Sequence, residues 1–247
     1  MSMPDANGGS TLAVLTNVAL CAEALNAAIS RQHQLPGLLC LYGPAGWGKT
    51  SAAAYCANRY RAYFVAAKSV WSKKAFLGAI LKEMGVSPAR TISDMADQVA
   101  EQLAVSQRPL IVDEVDHLVA GNHIELVRDL FESSLSPILM IGEELLPAKL
   151  KKWERFHSRV LRWVPAQAAT IEDAQHLRKM YCPQIKVADD LMDRIARMAN
   201  GSVRRIVVNL ALVQEAALAG GVTKMDLGAW GERELYTGEA PVRRIAA

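Results

Sequence analysis

The sequence predicts an α/β fold, a parallel sheet flanked by helices, followed by a small all-helical domain. Three observations predict it. Short apolar runs alternate with helical stretches from about residue 38 to 165, the pattern of strands joined by helical crossovers. The first run enters a Gly-rich turn that opens directly into an Ala-rich helix. From Thr170 onward the apolar spacing is helical only.

The elements follow in chain order. Residues 1–11 read as a flexible N-terminus, polar and Gly-rich over Met1 to Ser10. They have no basic start followed by an apolar stretch, so no signal peptide is expected. Residues 12–32 space their apolar positions as a helix, ended by Pro36 and Gly37. Strands are expected at 38–42, 63–67, 109–112, 137–141 and 160–164. Helices are expected at 50–60, 72–84 (closed by Gly85), 92–105 and 124–133. In the helical domain the spacing predicts helices at 171–180, 188–199, 202–219 and 223–229. The resulting organisation is 1–11 flexible, 12–166 α/β domain, 167–230 helical domain and 231–247 tail.

The 247 residues are 51% apolar and 21% charged, in the range of a globular protein. No apolar run reaches the roughly 18–20 residues that span a bilayer, and a cytoplasmic location is expected. Cys21, Cys40, Cys56 and Cys182 are scattered without a C-x-x-C pair, which reads as buried free thiols in a reducing compartment and argues against a zinc site. The net charge is +3. Its distribution says more than its sum. One basic group is Lys68, Lys73 and Lys74 around Trp71; a second is Lys149, Lys151, Lys152, Arg155, Arg159 and Arg162; a third is Arg204 and Arg205. Any one of these groups alone also fits a solvated helix face.

Two motifs carry chemistry. Gly43-Pro44-Ala45-Gly46-Trp47-Gly48-Lys49-Thr50 matches G-x-x-x-x-G-K-[ST] in full, between an expected strand and an expected helix. Glycines let consecutive N–H groups turn inward around phosphate oxygens, and the helix start adds its positive end. The pattern predicts an ATP site, with Lys49 on the β- and γ-phosphates, Thr50 on Mg²⁺ and Ser51 beside it. The second motif, Leu110-Ile111-Val112-Asp113-Glu114, is an apolar strand ending in two carboxylates about sixty residues further on. Asp113 is expected on Mg²⁺, directly or through water, and Glu114 as the general base for attacking water. Asp116 is either an additional acid behind that pair or the cap of the next helix.

Asp113-Glu114 beside the phosphate loop resembles the AAA+ ATPases, which implies a P-loop NTPase sheet followed by a helical lid. The resemblance implies a polar sensor at the end of the fourth strand, where this chain has Gly142-Glu143 instead of Asn, Thr or Ser. An acid there is unfavourable near a γ-phosphate unless it faces a cation or is displaced. It also implies an arginine finger before the fifth strand, for which Arg159 is the match and Arg155 the alternative. The finger would act on a neighbouring subunit's γ-phosphate. Gly201-Ser202-Val203-Arg204-Arg205 resembles the G-x-x-R motif of the lid, with Arg204 as the second sensor and Arg205 facing DNA or solvent.

Within that family the chain resembles the transposition target-selector ATPases: the phage Mu and Tn7-type group and the related ExeA-like group. Thr16-Asn17, Lys68 to Leu77, Asp113 to Leu118 and Leu139 to Leu145 carry the resemblance. It implies an ATP-dependent homo-oligomer forming a helical filament on duplex DNA and delivering that DNA to a transposase. Lys68, Lys73 and Lys74 would then contact phosphates regardless of sequence, Ser69 and Ser72 would add hydroxyls, and Trp71 would pack on the backbone or be buried. The alternatives are a replication initiator or helicase loader, and an ExeA-like ATPase that does not act on DNA.

Overall fold

The computed structural model describes residues 15–32 and 34–239. The expected flexible segment 1–11 and residues 240–247 of the expected tail lie outside the described residues. The chain divides into two compact units, one of Asn17–Ala45 and Lys49–Ala166, the other of Gly46–Gly48 and 167–239 together with residues 15–16.

The α/β unit runs α1 (Thr16–Ile29), β1 (Leu38–Tyr42), α2 (Lys49–Tyr60), β2 (Tyr63–Ala66), α3 (Lys73–Met84), α4 (Ile92–Ser106) and β3 (Leu110–Asp113). It continues through α5 (Asp116–Ala120), α6 (Glu125–Ser134), β4 (Ile138–Gly142), α7 (Leu146–Leu150), α8 (Glu154–His157) and β5 (Val160–Pro165). The short helices α5, α7 and α8 were not expected from periodicity, being too brief to show a repeat. The five strands are all parallel in the order β2-β3-β4-β1-β5. Burial explains their sequences: β3 and β4 are buried at every position, as is β1 up to Leu41. Strands covered on both faces read as continuous apolar runs. The edge strand β5 is only half-buried.

Register decides what the sheet does. Tyr42 pairs with Gly142, and Ala66 with Asp113. The chain therefore leaves β1, β3 and β4 at one edge, where parallel α/β sheets bind ligands. Helices α3 and α4 hold one face through Phe76, Leu77, Ile80, Leu81, Met95, Val99 and Leu103, all essentially inaccessible. The four cysteines are free and buried.

The helical unit contains α9 (Ile171–Tyr181), β6 (Lys186–Val187), α10 (Asp189–Ala199), α11 (Val203–Ala219), β7 (Lys224–Met225) and α12 (Leu227–Trp230). Thr170 and Asp173 form a reciprocal capping box that starts α9. The expectation of helices alone is corrected here. β6 and β7 pair in parallel, and the expected helix 223–229 is a strand followed by a single helical turn. The amides of Lys186 and Ala188 donate to the carbonyls of Thr223 and Met225, each at 2.8 Å. A two-residue strand exists only through its partner, so no local period announces it.

The segment after Trp230, expected as a tail, is tied down over its first residues. Asn209, fully buried on α11, donates from Nδ2 to the Tyr236 carbonyl at 3.0 Å and accepts the Tyr236 amide at 2.7 Å. Trp230 Nε1 donates to the Arg233 carbonyl at 2.9 Å, and Leu235 is buried. Among the described residues, no helix is long and apolar enough to cross a membrane.

Candidate nucleotide site and basic loop

The phosphate loop follows β1 and leads into α2. Gly46 and Gly48 have φ of +82° and +86°, in the left-handed region that a side chain at either position would strain. Gly43 is needed for space, because a Cβ there would lie 2.9 Å from Ala166 Cβ. Lys49 Nζ donates to the carbonyls of Gly43 at 2.7 Å and Pro44 at 2.8 Å, so the ammonium sits inside the curl of its own loop. Burial pushes its pKa below that of an ordinary lysine, and the carboxylates of Asp113, Glu114, Asp116 and Glu143 oppose the shift. The strand-end acids thus lie within electrostatic reach of the loop. Thr50 and Ser51 fall in the first turn of α2.

Asp113 ends β3 with its side chain buried, 3% of the residue being accessible. Its Oδ1 accepts the Glu114 amide at 2.8 Å. Glu114 itself is exposed and takes φ +54°. The left-handed region costs a non-glycine residue roughly 1–2 kcal/mol. That conformation turns the chain sharply out of the strand, and such strain clusters at functional sites.

The atypical acid at the end of β4 is accounted for. Asp116 Oδ2 accepts the Glu143 amide at 2.7 Å, and Asp116 Oδ1 accepts Lys149 Nζ at 2.7 Å. Lys149 also reaches Glu143 Oε2 at 3.4 Å. Glu143 therefore faces a cation, the condition under which an acid is tolerated there. Asp116 is the bridge between the turns after β3 and β4. Gly142 is glycine because a Cβ there would run into Asp116 Oδ2 and lie 2.6 Å from Leu146 Cδ2. Lys149 was read from the sequence only as one of a basic group; its pairing joins residues 33 apart and had no local signal.

Three of the six residues of the second basic group face acids. Besides Lys149, Arg159 Nε pairs with Glu132 Oε1 at 2.9 Å and Arg162 with Glu23 at 2.9 Å. Arg155 is exposed and makes no ion pair among the described residues. In the helical unit, Gly201 needs its φ of +75° and has Ala168 against it, where a Cβ would be 2.6 Å away. Ser202 then caps α11, accepting the Arg205 amide at 3.3 Å. Within this unit the Arg204 amide donates to the Gly46 carbonyl at 3.1 Å, while its side chain is exposed. Arg205 packs against Gly238.

The loop between β2 and α3 presents Lys68, Ser69 and Val70 to solvent, Val70 being 85% accessible. Trp71 is half-buried, its ring 6.5 Å from Phe76 and 5.7 Å from Lys68 Nζ. It braces the loop while keeping an edge exposed. Ser72 is the N-cap of α3, accepting the Ala75 amide at 3.3 Å, so its hydroxyl has a structural job. Lys73 and Lys74 are exposed in the first turn, and Lys74 Nζ donates to the Arg90 carbonyl at 2.8 Å. Cations beside a helix N-terminus oppose the helix dipole, so this first turn is a locally electropositive surface.

Sheet order, phosphate loop and paired acids together define the AAA+ P-loop NTPase fold, and residues 31–150 match the family model described as AAA domain. Solved structures agree on the fold. Cdc6p from Pyrobaculum aerophilum is 15% identical with a TM-score of 0.60, over 84% of this chain and 62% of that one. The ORC1 protein of Aeropyrum pernix in complex with DNA is 17% identical with a TM-score of 0.59, over 83% and 60%. A point variant of RuvB from Thermotoga maritima is 18% identical with a TM-score of 0.59, over 86% and 65%. The chain thus spans less than two thirds of the length of these structures. No curated protein matches it.

Proposed function

We propose that the protein is an ATPase that binds duplex DNA without sequence preference, assembles on it as an ATP-dependent helical filament, and delivers it to a transposase. The nucleotide half rests on the loop. Gly43 to Gly48 would wrap the phosphates, and Lys49 would trade two loop carbonyls for β- and γ-phosphate oxygens. Thr50 and Asp113 would hold Mg²⁺, which when bound neutralises charge developing on the phosphates. Among the described residues no three acids, histidines or cysteines are grouped to cage a metal, and a Mg²⁺ held by few side chains, phosphates and water suits that arrangement. Glu114, exposed at the turn, takes the proton of the attacking water. Arg204, anchored through its amide at Gly46, is the proposed cis sensor, and Arg159 the proposed finger acting on the next subunit.

The observation that carries the DNA half is the exposed loop with Lys68, Ser69, Lys73 and Lys74 around the braced Trp71. Its lysines supply phosphate contacts that are indifferent to sequence. A second reading, a replication initiator or helicase loader, is favoured by the likeness to Cdc6p and to ORC1, the latter solved with DNA. One experiment separates them. Purified protein is mixed with mixed-sequence duplex, with and without a slowly hydrolysed ATP analogue. Products are viewed by electron microscopy and assayed for strand transfer with a cognate transposase. Filaments only with nucleotide, plus stimulated strand transfer, are expected. DNA binding with helicase loading and no such stimulation would replace the reading by the initiator. Assembly and ATPase activity indifferent to DNA would leave an ExeA-like ATPase. Lys49→Ala should abolish nucleotide binding, and Glu114→Gln should retain it while slowing turnover about 10²–10⁴-fold.

A further inference from the structure

The helical unit holds a groove of about 500 Å³ whose rim carries Arg178, Lys179, Lys186 and Lys224, with Asp189 the one acid in its lining. None of these cations belongs to the three basic groups evident in the sequence. The unit as a whole carries about as many acids as bases, so the clustering is local and not a general basicity. Lys186 and Lys224 are direct register partners on β6 and β7. Adjacent strands lie about 4.8 Å apart, and like charges placed directly opposite destabilise a sheet. Lys224 has one exposed partner, Asp226 at 3.7 Å, and Lys186 has no ion pair among the described residues. Arg178 is held rigid, donating to the Val187 carbonyl at 2.9 Å and to Asp189 Oδ1 at 2.7 Å. That bond also occupies the only acid in the groove.

We propose that this groove is a second contact for the sugar-phosphate backbone of duplex DNA, with a phosphate oxygen bridging Lys186 and Lys224. An anion between them converts the repulsive pair into two attractive ones. A phosphodiester suits the groove better than an acidic peptide. Its apolar floor, Cys182, Ile185 and Val187, is buried in the unit's own core, leaving no exposed apolar anchor of the kind that peptide docking uses. Lysines are point charges that neutralise phosphates without reading bases. The inference rests on the DNA reading above and extends it to a surface far along the chain from Lys68–Lys74.

The test measures binding of a fluorescent mixed-sequence duplex to the full chain with ATP analogue between 50 and 300 mM salt, ranges chosen because backbone contacts are salt-sensitive. Each phosphate neutralised contributes about 0.9 to the log–log slope. Lys186→Ala with Lys224→Ala removes the one bridged phosphate contact, and should lower the slope by roughly 0.9 and weaken binding roughly 8-fold at 0.1 M salt. Its ATPase activity without DNA should be unchanged and its thermal midpoint close to wild type, because the repulsion removed offsets the weak exposed Lys224–Asp226 pair that is lost with it. Lys186→Arg with Lys224→Arg should keep the slope. A wild-type slope in the alanine variant, while Lys73→Ala with Lys74→Ala lowers it, overturns the groove and leaves the DNA reading standing. If neither variant changes the slope, both readings fall. Loss of polyglutamate binding by the groove variant at an unchanged DNA slope would assign the groove to an acidic protein segment and overturn the proposal.

Discussion

Replacing Gly142 by alanine isolates the link between the turns after β3 and β4. Gly→Ala at a position with ordinary backbone angles stabilises by about 0.4–1 kcal/mol through the unfolded chain, and Gly142 has no left-handed φ. The added methyl, however, would overlap Asp116 Oδ2 and lie 2.6 Å from Cδ2 of the fully buried Leu146. Asp116 cannot swing away freely, since its two oxygens hold the Glu143 amide and Lys149 Nζ, each at 2.7 Å. Overpacking costs about 1–3 kcal/mol. A charge-assisted bond contributes about 1.5–3 kcal/mol when buried. The Lys149 side chain is 39% accessible, so its pair with Asp116 is discounted toward the surface value of about 0–1 kcal/mol. The net expectation is a loss of about 2–4 kcal/mol, read in urea as a lower midpoint at unchanged slope. In an Asp116→Ala background the overlap with the carboxylate disappears, so the second change should cost about 1–2 kcal/mol less than in wild type, a coupling measurable by a double-mutant cycle. A Gly142→Ala protein as stable as wild type, or costs that add within about 0.5 kcal/mol, would refute the account of why this strand ends in glycine.

Two further outcomes follow from particular contacts. Arg159→Ala should lower turnover of assembled protein by about 10³-fold or more while isolated subunits bind nucleotide as before. If Arg155→Ala produces that loss and Arg159→Ala does not, the unpaired arginine is the finger and the Glu132 pair is structural. Asn209→Ala removes both bonds to Tyr236, each contributing about 0.5–1.5 kcal/mol. Trypsin should then cut after Arg233 about tenfold faster, as followed by mass spectrometry; unchanged cleavage would mean that Leu235 and Trp230 hold the segment alone.

Much of the α/β unit was legible because its signals are local. Strands buried on both faces read as apolar runs, Gly46 and Gly48 stand where φ is positive, Lys49 and Thr50 open α2 after the loop, and Asp113 and Glu114 stand at the end of β3, at the edge where the parallel strands end. Some helix boundaries moved by a residue or a few: α3 begins at Lys73 after its cap Ser72, where residue 72 was expected, while α9 begins at Ile171 after Thr170 as expected. Brief elements escaped, because α5, α7 and α8 are shorter than the period that would reveal them.

The sequence by itself determined the kind of site: residue types and spacings that suit phosphate, metal and water, along a chain alternating strand and helix. Only the tertiary structure decided what charge each group faces. Glu143 is tolerable because Lys149 meets it and Asp116 binds its amide. Arg159 lies against Glu132, 27 residues away. Lys186 and Lys224 stand side by side because two two-residue strands pair. Electrostatic partners are set by distance in space, which falls off within ångströms, and the chain folds residues far apart in sequence to within that range.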